Sequence, residues 1–133
     1  MHEVRSEIAP PPVGPYSQAI RSGSLVFVSG QLGLDPETGK LAPDVRSQAR
    51  AALENIGRVL EAAGLGYGSV VKVTVLLRDM SDFSAVNEVY ATFFDHPCPA
   101  RAAFAVVGLP LNALVEIEAV AETGSEAIDG RPD

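Results

Sequence analysis

One cysteine, Cys98, excludes an intrachain disulfide and fits a reducing cytoplasm. Positive charge is scarce. Ten Lys and Arg stand against seventeen Asp and Glu, for a formal net charge of −7. Phosphate recognition needs a basic footprint, so this balance argues against a nucleic-acid partner. No apolar run approaches the roughly 18 residues of a membrane-spanning helix, so no membrane association is expected. The opening MHEVRSEIAPPP is charged where a signal peptide needs an apolar stretch. There is no G-x-x-x-x-G-K-[ST] phosphate loop, no CxxC pair and no HExxH. His2 and His96 stand alone without a cysteine partner, which makes no metal site. What remains is a single domain over residues 1–121 that is apolar enough to bury a core. Residues 122–133 form a polar, acidic tail expected to fray.

The chain in order reads as ββαβαββ. Pro10–Pro12 hold an extended entry. Gly14–Ile20 is a turn leading into a strand, Gly23 closes it, and Leu25–Gln31 is its partner. Asp35-Pro36-Glu37-Thr38-Gly39 is a turn. Asp44 caps a helix that runs to about Ala63, with Ala49, Ala52, Leu53, Ile56 and Leu60 on one face. Glu54 and Arg58 are spaced to pair on the other face, and Gly64 terminates the helix. Val70–Leu77 is apolar throughout, as a strand covered on both faces would be. A second helix spans Phe83 to Phe94, with Phe83, Val86, Asn87, Tyr90, Phe93 and Phe94 on its buried stripe.

The last third carries the chemistry. Ala102–Val107 and Leu114–Ala121 read as two strands of a hairpin, with Arg101 at the entrance of the first. Glu116 and Glu118 lie on one face of the second, and Val115, Ile117, Ala119 and Ala121 on the other. A carboxylate in so apolar a strand is paired, solvated in a cleft, or at work. A hairpin would bring Arg101 near the glutamates. The pair is then either a carboxylate clamp beside a water-activating base or a structural ion pair between strands. Gly30, between Ser29 and Gln31, reads as a site of close approach or as a β-bulge. Asn87 either anchors backbone or looks into a pocket. Cys98, between two prolines, has no assigned chemistry.

The fold class is α+β, with two helices covering one face of a mixed sheet. Nothing in the chain covers the other face, so self-association is the simplest cover.

GPYSQA (14–19), VSGQ (28–31), DPETG (35–39), VNEVY (86–90), PAR (99–101) and EIEA (116–119) occur in this order over about Ala9 to Ala121. In that ordered set the chain resembles the RidA/YjgF family. The resemblance implies a chorismate-mutase-like fold closed into a homotrimer with its sheets packed inward and clefts at the subunit interfaces. It also implies a cofactor-free hydrolytic deaminase that converts 2-imino or enamine acids to 2-oxo acids and ammonia. Matched motif by motif, Arg101 would clamp the substrate carboxylate and Glu116 would hold the attacking water. Tyr16, Ser29, Gly30, Asn87 and Ala103 would line or support the cleft. Family deaminases often carry Cys where this chain has Ala103, and Phe104 and Val107 are bulky for positions bordering the cleft. Those departures leave open a sibling deaminase acting on aminoacrylate- or aminomuconate-type compounds. A non-catalytic trimer that binds 2-oxo acids or a partner protein is the reading from another class.

Overall fold

The computed structural model describes residues 1–124. In chain order the elements are β1 (His2–Val4), β2 (Ala19–Ser22), β3 (Leu25–Leu32), α1 (Val45–Ala62), β4 (Val70–Leu77), α2 (Phe83–Tyr90), β5 (Ala100–Ala105) and β6 (Val115–Glu122). The strands form one mixed sheet in the order β1-β2-β3-β6-β4-β5. All pairings are antiparallel except β4 with β5.

Local chemistry sets the helix boundaries. Asp44 and Ser47 form a reciprocal capping box at the start of α1. At its end Gly64 takes φ +76°, which L side chains resist. Its N–H donates to Glu61 O and that of Leu65 to Leu60 O, both at 2.9 Å, which closes a Schellman motif. The second helix is shorter than its apolar stripe predicts. Thr92 Oγ1 donates to Val89 O at 2.6 Å, and the helix stops at Tyr90. Phe94 still packs into the core from the turn that follows.

Both helices pack on the same face of the sheet. Leu53, Ile56, Leu60, Val73, Val75, Leu77, Val115 and Ile117 are essentially inaccessible there. Each such side chain contributes about 1.5–3 kcal/mol on burial. Polar residues inside this layer tie loops to it. Gln48 Nε2 donates to Ala42 O (2.9 Å), and its Oε1 accepts from the Leu114 N–H (2.8 Å). Asn55 donates to the carbonyls of Leu32 and Leu34. Arg58 donates to Asn55 Oδ1 at 2.6 Å, so the expected Glu54–Arg58 pair does not form.

Two further expectations are corrected. The polar N-terminal segment contributes strand β1, which pairs antiparallel with β2, and buried Gln18 ties down the stretch after it by accepting from the Ser6 N–H and donating to the Ser6 and Pro10 carbonyls. More consequentially, β5 and β6 do not form a hairpin. Strand β4 lies between them, antiparallel to β6 and parallel to β5. A strand, a helix and a second parallel strand make a crossover unit, which sets β5 beside β4 and leaves the other edge of β4 for β6. At the C-terminal end β6 extends to Glu122, and the Thr123 N–H donates to Ser24 O at 2.8 Å. The tail expectation for residues 125–133 falls outside the described residues.

Candidate active site

The alternation expected for β6 places Val115, Ile117, Ala119 and Ala121 under the helices and Glu116, Glu118 and Val120 on the open face. Across that face, Leu32, Glu116, Leu76 and Phe104 stand in one register row over β3, β6, β4 and β5. Glu116 is therefore flanked by leucines. Burial, and secondarily the Glu118 carboxylate, raise its pKa above the ordinary value.

Gly30 makes room for it. The register of β3 against β6 shifts between Val28 and Gln31, so a bulge is present. The carboxyl of Glu116 occupies the space beside Gly30, where an added Cβ would stand 2.9 Å from its Cδ. Bulge and close approach are thus one feature. Ser29 fastens the preceding loop to the bulge, its N–H donating to Gln18 O (2.9 Å) and its hydroxyl to Ser17 O (2.6 Å). That loop carries Tyr16, whose ring is half exposed.

Arg101 belongs to a second group on the other side of the sheet. Its register partner is Val73, a core residue under the helices. The guanidinium reaches α2, where Nη1 donates to Asn87 Oδ1 at 2.7 Å. Its Cζ lies 4.9 Å from the Tyr90 ring centroid and 5.6 Å from that of Phe83. Asn87 therefore holds a side chain rather than backbone. Phe83 and Tyr90, read from the sequence as core stripe alone, also face the arginine; their spacing around Asn87 was the available signal. Ala103 lies two residues along, half-buried against the core.

The two groups do not meet within one chain. Arg101 and Glu116 point to opposite faces, and their register positions on β4, Val73 and Leu76, are three residues apart. That is roughly 10 Å along the strands, with two strand spacings across. The hairpin contact is corrected accordingly, and among the described residues neither Arg101 nor either glutamate forms a salt bridge. Two surface concavities of about 340 and 730 Å³ lie away from both groups, in the loop between β3 and α1 and around β1.

A family model described as Endoribonuclease L-PSP matches residues 6–123. The chain belongs to the RidA/YjgF family. Among its RidA/YjgF relatives, Reactive Intermediate Deaminase A, chloroplastic, of Arabidopsis thaliana is 52% identical over 119 residues, which are 89% of this chain and 64% of the plant protein. The 2-iminobutanoate/2-iminopropanoate deaminase of Mus musculus is 51% identical over 117 residues, 87% of each chain. The crystal structure of E. coli TdcF with bound serine superposes with a TM-score of 0.89 at 42% identity, covering 93% of this chain and all of that one. Of the stretches that carry the resemblance, DPETG lies in the loop between β3 and α1, and residues of the others fall on the two groups just described. The Gln18 carbonyl accepts from the Ser29 N–H at the bulge and Gly30 leaves room for Glu116, while Asn87 and Arg101 form the pair beside α2.

Proposed function

We propose that this chain is a cofactor-free hydrolytic deaminase that converts reactive 2-imino and enamine acids, 2-iminopropanoate and 2-iminobutanoate among them, to 2-oxo acids and ammonia. The observation that carries the reading is a chemical division of labour. One group presents an arginine whose guanidinium is already steadied by Asn87. The other presents a carboxylate made more basic than usual by burial and by Glu118.

Arg101 takes the substrate carboxylate in a bidentate pair. Glu116 holds a water and removes its proton as the oxygen attacks C2 of the protonated imine. The resulting carbinolamine collapses once the proton is passed to nitrogen, releasing ammonia and the 2-oxo acid. An iminium carbon is electrophilic already, so positioning and charge complementarity supply the catalysis. In a 2-imino acid C2 is bonded to the carboxylate carbon, so both groups must lie within a few ångströms of one ligand.

A single chain holds them on opposite faces, which calls for a second copy. In our reading the chain, as one RidA-like domain over 1–121, forms a chorismate-mutase-like homotrimer with its open sheet faces inward. Phe27 and Phe104, each almost half exposed on that face, become interface residues. The clefts then lie between subunits, with Arg101 of one copy opposite Glu116 of its neighbour and Tyr16, Ser29, Gly30 and Ala103 at the rim. A small-molecule carboxylate is the partner. Nucleic acid is not, given the net charge of −7. A reducing cytoplasm suits the single free cysteine.

The test is the rate of 2-oxo acid release from 2-iminopropanoate or 2-iminobutanoate generated in place by an amino acid oxidase. The wild type accelerates it and Arg101→Ala does not. Equal rates for the two sink the mechanism. Acceleration only with an aminoacrylate or aminomuconate shifts the substrate class. Binding of 2-oxo acids by a trimer without turnover favours the non-catalytic reading.

A further inference from the structure

Resting on the deaminase reading for what Arg101 binds, we propose that Phe83 and Tyr90 are positioning residues, their rings forming a two-walled aromatic seat that fixes the Arg101 guanidinium for carboxylate binding.

Strand β5 itself offers the arginine nothing. It is an edge strand paired only with β4, and the residues around Arg101 are Ala100, Ala102 and Ala103. A long exposed arginine on such a strand would sample many rotamers, and each binding event would have to freeze one. Helix α2 removes that freedom. Phe83, Asn87 and Tyr90 recur at i, i+4 and i+7, which puts them on one helical face. Asn87 accepts from Nη1 at 2.7 Å and so takes up one side of the fork. Among the described residues the Nε–Nη2 edge, the geometry that matches a carboxylate, makes no hydrogen bond. The two rings bear on the guanidinium at 4.9 and 5.6 Å, within the range at which cation–π attraction operates. Amide and rings together limit both rotation and tilt.

Tyr90 separates the ring from the hydroxyl. The residue is 93% buried (relative exposure 7%), yet its hydroxyl makes no hydrogen bond among the described residues. A buried, unpartnered hydroxyl adds nothing to stability. The ring is what the arginine uses. A packing role would be filled by an aliphatic side chain of similar size, whereas a seat needs a π face.

The experiment compares wild type, Tyr90→Phe, Tyr90→Leu, Phe83→Leu and Arg101→Ala. Steady-state kinetics on 2-iminobutanoate generated in place are read beside calorimetric affinity for 2-oxobutanoate, with circular dichroism melts confirming the fold. Both leucine variants raise KM and weaken 2-oxobutanoate binding by about 5- to 30-fold, with kcat within about twofold, because uniform binding is lost. Tyr90→Phe matches wild type within about twofold in both. If Tyr90→Leu fails to fold, Phe83→Leu decides alone, its site being only partly buried. Folded leucine variants with unchanged KM and affinity overturn the proposal. So does Tyr90→Phe losing as much as Tyr90→Leu, since the hydroxyl would then be acting. A wild type that binds 2-oxobutanoate through Arg101 but releases no 2-oxo acid overturns the deaminase reading alone, and the affinities then judge the seat. Absence of carboxylate binding by the wild type overturns both.

Discussion

Gly30 and Gly33 lie three residues apart, and the same substitution should harm the protein in opposite ways. The atoms nearest to an Ala Cβ at Gly30 would be those of the Glu116 side chain, with Cδ at 2.9 Å and Cγ at 3.2 Å. That carboxylate can swing aside, at about 0.5–1.5 kcal/mol for a displaced rotamer. The reduced freedom of the unfolded chain returns about 0.4–1 kcal/mol. Stability should therefore stay within about 1 kcal/mol of wild type, or about 4 °C in Tm. Activity should not survive, because a base displaced by about 1 Å loses on the order of 100-fold in rate. At Gly33 the Cβ would instead strike the main chain of α1 at Gln48, 2.8 Å from its carbonyl carbon. Helix backbone cannot swing aside, and overpacking of this kind costs about 1–3 kcal/mol. That is a Tm loss of about 4–12 °C. Thermal melts and the 2-oxo acid release assay on both variants separate the cases. A fully active Gly30→Ala, or one that melts as early as Gly33→Ala, would refute this account of why glycine stands beside Glu116.

The raised pKa of Glu116 sets the pH behaviour. A base must be ionised, so activity should fall as pH drops through a value above the ordinary 4.5 of a glutamate, and Glu118→Gln should move that acid limb lower by removing the second cause. The native state binds this proton more tightly than the unfolded chain, so the fold gains stability as pH falls through the raised value and bears a cost at neutrality. Glu116→Gln should accordingly be inactive yet melt higher than wild type at pH 7, and a lower Tm there would contradict the assigned cause. If the proposed trimer forms through the open sheet face, Phe104→Asp should sediment as a monomer and lose turnover; an active monomer would remove the need for a shared cleft. Gln48→Ala orphans the Leu114 N–H and the Ala42 carbonyl, and urea denaturation should show a loss of about 2–4 kcal/mol.

Much of the architecture was legible as text because its signals are local. Helix α1 announces itself through Asp44, the spacing of Ala49 to Leu60 and Gly64, since periodicity and caps depend on neighbours a few residues away. The faces of β6 were equally legible, as alternation puts Glu116 opposite to Ile117 whatever strand lies alongside. Strand β1 was missed because three residues, His2–Val4, at a sheet edge carry almost no apolar pattern; what holds them is pairing with the distant β2.

Pairing, by contrast, is long-range. The short connection between β5 and β6 resembles a hairpin, yet Leu111 and Asn112 both take φ +58° there and the strands part on either side of β4. The apolar run Val70–Leu77 reads as a strand covered on both faces, but that β5 joins it in parallel across the α2 crossover is a pairing only the structure shows. The sequence by itself determined which side chains are charged, which face of its own element each takes, and the family they belong to. Only the tertiary structure decided that Arg101 turns toward α2 while Glu116 turns toward the open face, because that depends on which strands share hydrogen bonds and in what register.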